Sequence, residues 1–262
     1  VRVSGHFGEW VQGRFGPEGP VALVTVPCHD LTVEAEFMSD GPLELLQSPE
    51  VVSLHQARSF LDRIDGRIGI YRMSANMPPG GGAGSSTATL VALAKAANCD
   101  TEDLVQACLA VEGASDPLML PNPDRVLWAS REGRILQHLP PLPAAEIVGG
   151  FWGPSMVTLP QDDCFADISD LVQSLQAKIT LQELADIASI SAHRCQALRG
   201  PAIDPSEQLA KDLGALGYLR AHTGSARGLI FTPGTAPSLA EDVLRNNGFD
   251  HVLRFTTQGH LS

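Results

Sequence analysis

Aromatic residues make up only 5% of this 262-residue chain, and charged residues 18%, below the usual quarter. Positive charge is the scarcer sign: 18 Lys and Arg against 30 Asp and Glu leave a formal net charge of -12. Such a surface repels polyphosphate backbones and anionic bilayers, so nucleic acid and membrane are poor partners. No apolar run reaches the 18 or so residues that span a bilayer. Five cysteines (Cys28, Cys99, Cys108, Cys164, Cys195) are scattered without a C-x-x-C pair, which argues against a disulfide framework and a cysteine zinc site. The opening residues carry no charged-then-apolar leader pattern, and a reducing, cytoplasmic setting is expected. What remains is 44% hydrophobic, enough for a packed core in one large or two modest domains.

The first forty residues read as strands. Val21–Val26 is a continuous apolar run that Pro27 is expected to stop, and Leu31–Phe37 alternates apolar and polar. Residues 50–65 read as a helix, 68–75 as a strand, 88–97 as a helix, and 100–112 as another helix ended by Gly113. Pro140-Pro141-Leu142-Pro143 is the linker candidate, dividing the chain into 1–143 and 144–262. Beyond it, strands are expected at 146–151, 228–231 and 251–255, and helices at 167–177, 181–198 and 206–216. Strands and helices mix without strict alternation, so the fold class is α+β.

The sharpest local feature is Pro79-Gly80-Gly81-Gly82-Ala83-Gly84-Ser85-Ser86-Thr87, between a strand and a helix. Its glycines open backbone conformations closed to other residues, and Ser85, Ser86 and Thr87 are N-cap candidates. A helix starting there aims unsatisfied N–H groups and its positive end at the loop, which makes an anion site. The loop lacks the Lys of a P-loop, and the spacing of a dinucleotide fingerprint fails at Ser85. A tight turn with no ligand is the alternative.

The segment Pro78–Ala88 resembles the second motif of the GHMP kinases, usually P-x-x-x-G-L-G-S-S-A-A, with Ala83 in place of Leu and Thr87 in place of Ala. Ser4–Gly13 resembles the first motif, closest to the G-E-L-x-Q-G form of the propanediol-utilisation L-threonine kinases, with Phe7 where a Cys is usual. Leu23–Asp30 is similar to the V-T-x-P-x-D stretch of that branch, and Ala221–Phe231 to the third motif in its S-G-S form. Residues 160–205 match nothing recognisable.

The resemblance implies a domain like the second domain of ribosomal protein S5, then a ferredoxin-like domain, with the active site between them. It implies an ATP-dependent kinase for a small hydroxyl-bearing metabolite, most similar to those making O-phospho-L-threonine for the nucleotide loop of adenosylcobalamin. Homoserine or another small alcohol is the second acceptor reading, and a non-catalytic binding protein of the same fold the third. A monomer or homodimer is expected.

By motif position, Ser86 and Glu112 would hold the Mg²⁺ that accompanies ATP. Glu112 lies in a stretch similar to E-P-[ST]-D, from which Gly113 and Ala114 depart. Asp116 reads equally as a base for the acceptor hydroxyl or as a cap for the turn before Pro117. Glu9 and Asp30 are substrate-side carboxylates that could pair with an ammonium group, or simply surface groups. Gly224, Ser225 and Arg227 of the third motif complete the substrate-side set; Arg227 would meet a phosphate or carboxylate, or point to solvent.

Overall fold

The computed structural model describes residues 1–155, 162, 164–175, 178–201 and 203–258. Its strands are β1 (Arg2–Arg14), β2 (Val21–Ser39), β3 (Glu44–Ser48), β4 (Ile70–Ala75), β5 (Val126–Ala129), β6 (Arg134–His138), β7 (Glu146–Phe151), β8 (Gly217–Arg220), β9 (Ala226–Phe231) and β10 (Asp250–Thr256). Its helices are α1 (Leu54–Arg63), α2 (Ser85–Ala96), α3 (Leu104–Glu112), α4 (Ser169–Ser174), α5 (Leu181–Arg199), α6 (Ser206–Asp212) and α7 (Ala240–Asn246). The architecture is α+β, as expected.

One sheet runs through the molecule in the order β10-β7-β9-β8-β1-β2-β4-β3, with β5 and β6 branching from β2. Among the described strands β3 and β4 pair in parallel and the other pairs are antiparallel, with a single parallel bridge between Arg14 and Asp167 outside them. The N-terminal and C-terminal parts of the sheet meet at one registered pair, Glu9 opposite Arg220. Behind that joint, Phe7 is fully buried and its ring meets Phe151 and Phe255 edge-on at 5.7 and 5.6 Å. Gly149 and Gly228 make room for it, since a Cβ at either would stand 2.5 or 3.1 Å from the ring. A phenylalanine at this position therefore knits the parts together, and α5 packs across both β1 and β8.

Pro27 does not end its strand. β2 passes through it opposite His6, and the irregularity falls just after, where Ser4 pairs with Thr32 but the adjacent Gly5 pairs with Cys28. This bulge absorbs the missing N–H and turns His29 and Asp30 outward to solvent. The described parts of the 167–177 and 206–216 helices shrink to 169–174 and 206–212, while residues 176 and 177 lie outside the described set. The α3 helix starts at Leu104 rather than 100, and Gly113 ends it at φ +73°.

Helix α2 is buried on every side from Thr87 to Ala94. That explains its Ala- and Leu-rich composition with little amphipathicity, as a central helix requires. In contrast, α1 and α5 open with capping boxes, Ser53 with Gln56 and Thr180 with Glu183. The proline segment at 140–143 joins β6 to β7 and buries Leu142.

Candidate active site

The glycine loop is shaped by what its carbonyls touch. The Gly82 and Ala83 carbonyls accept from Gly8 N–H (3.2 Å) and His6 N–H (3.1 Å) of β1. The Gly81 carbonyl accepts from Ser225 and Ala226 N–H (2.9 and 2.8 Å). In a trans peptide the N–H points opposite to the C=O. With these three carbonyls turned to the sheet, the N–H groups of Gly82, Ala83 and Gly84 face the other way.

Gly84 is the N-cap of α2, at φ +70°, with no side-chain cap. The expected caps Ser85, Ser86 and Thr87 instead form the first helical turn, because the left-handed cap position suits glycine alone among these residues. The first-turn N–H groups and the helix dipole therefore open toward the loop. Gly82 and Gly224 lie so close that a Cβ on Gly82 would stand 2.3 Å from the Thr223 carbonyl oxygen. The third-motif loop thus rests directly on the phosphate-type loop.

Beyond these loops opens a cleft of about 380 Å³. Pro79, Gly80, Gly82, Gly84, Ser85, Ser86 and Thr87 form one side. The end of α3 and the following turn add Val111, Glu112, Ala114, Ser115 and Asp116; β1 adds His6 and Glu9; the third-motif loop adds His222 and Thr223. Leu23, Val51 and Gln56 border the cleft, as do Ser130 and Ser155.

Glu112 Oε2 accepts from the Thr87 hydroxyl (2.9 Å), which in turn accepts from Asp116 N–H (3.3 Å). The other oxygen, Oε1, is buried with no partner among the described residues. Burial pushes Glu112 up to about 7 against the hydroxyls of Ser86 and Thr87. An orphaned, desolvated carboxylate oxygen beside Ser86 fits a hard cation. Among the described residues there is no cluster of three or more His, Cys, Asp or Glu suited to a metal.

His6 is buried with its Nδ1 3.3 Å from the Gly8 carbonyl and 3.9 Å from Glu9 Oε1, and its Nε2 3.5 Å from Asp116 Oδ2. Burial opposes its charge, but Asp116, Glu9 and the Gly8 carbonyl outweigh it and carry the ring up to about 9. Burial would raise Asp116, yet the His6 charge and contact win and hold it below the usual range. Glu9 is desolvated, raised to about 8, and accepts the backbone N–H of His222. Across the cleft, burial and Arg199 push His222 down to about 3; its ring stacks on Phe165 at 4.3 Å.

The sequence-derived candidates divide accordingly. Glu9, Ser86, Glu112 and Asp116 come together at the cleft with most of the glycine loop. Gly81 and Ala83 do not line it; they shape the loop through backbone contacts. Asp30 does not reach it: the bulge after Pro27 leaves it exposed, its carbonyl accepting from Asn76 (2.7 Å). Arg227 is also corrected. Its guanidinium is buried in a 2.7 Å ion pair with Asp204 and donates to the Gly224 and Ala226 carbonyls, so it braces the third loop from behind. Gly224 and Ser225 pack on the glycine loop without lining the cleft. His6 and His222 were not singled out from the sequence. The only signal was their position inside the first and third motifs.

Residues 53–119 match the family model described as GHMP kinases N terminal domain. Among solved structures, the chain is similar to mevalonate kinase from methicillin-resistant Staphylococcus aureus MRSA252: 17% identity, 97% of this chain and 96% of that one covered, TM-score 0.59. It is similar to L. major mevalonate kinase, solved in complex with R-mevalonate (14%, 100% and 96%, TM-score 0.59). A Listeria monocytogenes protein assigned as a homoserine kinase matches at 15% identity, covering 97% and 94%, TM-score 0.58. The comparison with curated proteins finds no match. The fold is thus the two-domain α+β fold of the GHMP kinases.

Proposed function

We propose that this chain, with its GHMP kinase fold, transfers the γ-phosphoryl group of ATP to the hydroxyl of a small amino acid, L-threonine being the first candidate. The observation that carries the reading is the coincidence, in one cleft, of inward-facing backbone N–H groups at the α2 N-terminus and the unpartnered Glu112 oxygen. The first suits phosphate oxygens, the second a magnesium ion held together with Ser86. Bound magnesium would neutralise phosphate charge. The backbone of Gly82 to Ser85 orients the triphosphate.

Asp116, ionised and partly open to the cleft, accepts the proton of the acceptor hydroxyl. Its low basicity suits a loose transition state in which the proton leaves late. Glu9 and the polar wall near His222 and Thr223 form the acceptor end; Glu9, raised to about 8 in the open cleft, gives up its proton as the ammonium of an amino acid pairs with it. The G-E-x-x-Q-G form of the first motif points to threonine, and O-phospho-L-threonine would then serve cobalamin nucleotide-loop synthesis.

The test is ADP release with Mg·ATP and L-threonine, L-serine, L-homoserine, mevalonate or no acceptor. Threonine-selective turnover, abolished in Glu112→Gln, is the expected outcome. Selective turnover of homoserine or mevalonate would replace the acceptor and keep the chemistry. Absence of turnover with every acceptor would remove the kinase reading.

A further inference from the structure

Among the described residues lining the cleft there is no lysine and no arginine. Phosphoryl-transfer sites commonly add a side-chain cation to their backbone donors. Two lining side chains can become positive, His6 and His222, and they differ in what faces them. His222 stacks on Phe165, and Arg199 lies 4.3 Å from the centre of that ring. A second cation beside those guanidinium charges is disfavoured.

His6 Nδ1 lies 3.3 Å from the Gly8 carbonyl, and its buried Nε2, which makes no hydrogen bond among the described residues, faces the Asp116 carboxylate at ion-pair distance, 3.5 Å. A carbonyl at one nitrogen and a carboxylate facing the other both favour the doubly protonated, cationic ring. Its Nε2 edge also lies against the cap of α2. A Cβ built on Gly84 would stand 2.7 Å from His6 Cδ2 and 2.9 Å from Nε2. The positive charge therefore sits beside the helix end that faces the proposed phosphates.

We propose that His6 is a positioning residue for the transfer described above: an imidazolium held between Asp116 and the Gly8 carbonyl, orienting that carboxylate and supplying cationic charge at the cleft. The inference rests on the kinase reading of this cleft. In the step, the acceptor oxygen bonds to the γ-phosphorus. The bond from that phosphorus to the bridging oxygen breaks, and its electron pair leaves with ADP. The acceptor proton passes to Asp116, and His6 keeps both of its protons throughout. The charged groups around it are Asp116 from the turn after α3, Glu9 on its own strand, and Arg220 of β8 acting on Glu9. His222 from the third loop and Glu112 from α3 act on the same cluster through Asp116.

Two experiments decide it. Nitrogen-15 NMR of the wild-type protein should show His6, identified by the signal lost in His6→Gln or His6→Lys, as an imidazolium at neutral pH. Asp116→Asn should lower its titration midpoint. Calorimetry should show His6→Gln weakening ATP by about tenfold or more, the scale of one lost charge-assisted contact, with adenosine binding unchanged. His6→Lys should restore part of both ATP affinity and kcat. A neutral His6 at pH 7, or ATP affinity and kcat retained in His6→Gln, would overturn the proposal, as would equal losses of ATP and adenosine binding. If His6→Gln does not fold, the wild-type titration and His6→Lys decide. Failure of the kinase reading shows separately, as no turnover with any acceptor while the ATP-against-adenosine difference persists.

Discussion

His6 and His222 enter the cleft from opposite sides of the Glu9–Arg220 joint, both almost wholly buried. Burial acts alike on both, against charge, yet one is carried up to about 9 and the other down to about 3. The difference lies in their neighbours. Two carboxylates and a carbonyl flank His6, whereas Phe165 with Arg199 and Arg131 faces His222. The N-terminal wall is thereby built to hold and exchange charge, and the C-terminal wall to present a neutral ring. Burial alone says nothing about protonation until the adjacent charges are counted.

The contrast can be broken most strongly at Asp116. Asp116→Asn removes the proposed proton acceptor and the partner of His6, so kcat should fall by about a hundred- to ten-thousand-fold, measured as ADP release. Next is the brace of the opposite wall. Arg227→Met strands Asp204 as a buried uncompensated charge, and denaturant unfolding should show a loss of about 3–5 kcal/mol. Gly84→Ala presses a methyl on His6 and forces a non-glycine residue into the left-handed cap, costing about 1–2 kcal/mol of stability from the backbone alone. It should weaken ATP more than adenosine in calorimetry.

The smallest effect, and the one that sharpens the contrast, is in the pH dependence of unfolding. His222 is depressed below its ordinary 6.5, so its contribution is complete above pH 6.5 and is lost as pH falls toward about 3. His6 is raised, so its contribution is complete below pH 6.5 and is lost as pH rises through about 9; Glu9 is raised too, and its contribution, complete below pH 4.5, is lost as pH rises through about 8. His222→Phe should flatten only the acid limb and His6→Gln only part of the alkaline limb. If both variants changed the same limb, the opposite assignment of the two rings would fail.

Much of this was open to a reader of the chain alone. The glycine loop announced itself through glycines that a φ > 0 turn and backbone contact require, and Glu112 and Asp116 through the resemblance of the stretch around Gly113 to a family motif. Periodicity located most long elements, but four-residue strands such as β5 and β8 are too short to establish a period. Pro27 misled because a bulge can carry a proline through a strand, and that depends on the partner's register. Arg227 misled because a motif position does not reveal Asp204, 23 residues earlier, on its far side. The two histidines stayed hidden because their roles depend on groups remote in the sequence, Asp116 for His6 and Phe165 with Arg131 for His222.

The glycine loop is held by β1 residues His6 and Gly8 on one flank and by Ser225 and Ala226 on the other. A stretch of chain from residue 1 to any point between 85 and 224 has every glycine of the loop and one of its two clamps. The conformation of the loop therefore depends on contacts drawn from residue 6 to residue 226, and no shorter stretch of the chain contains both clamps.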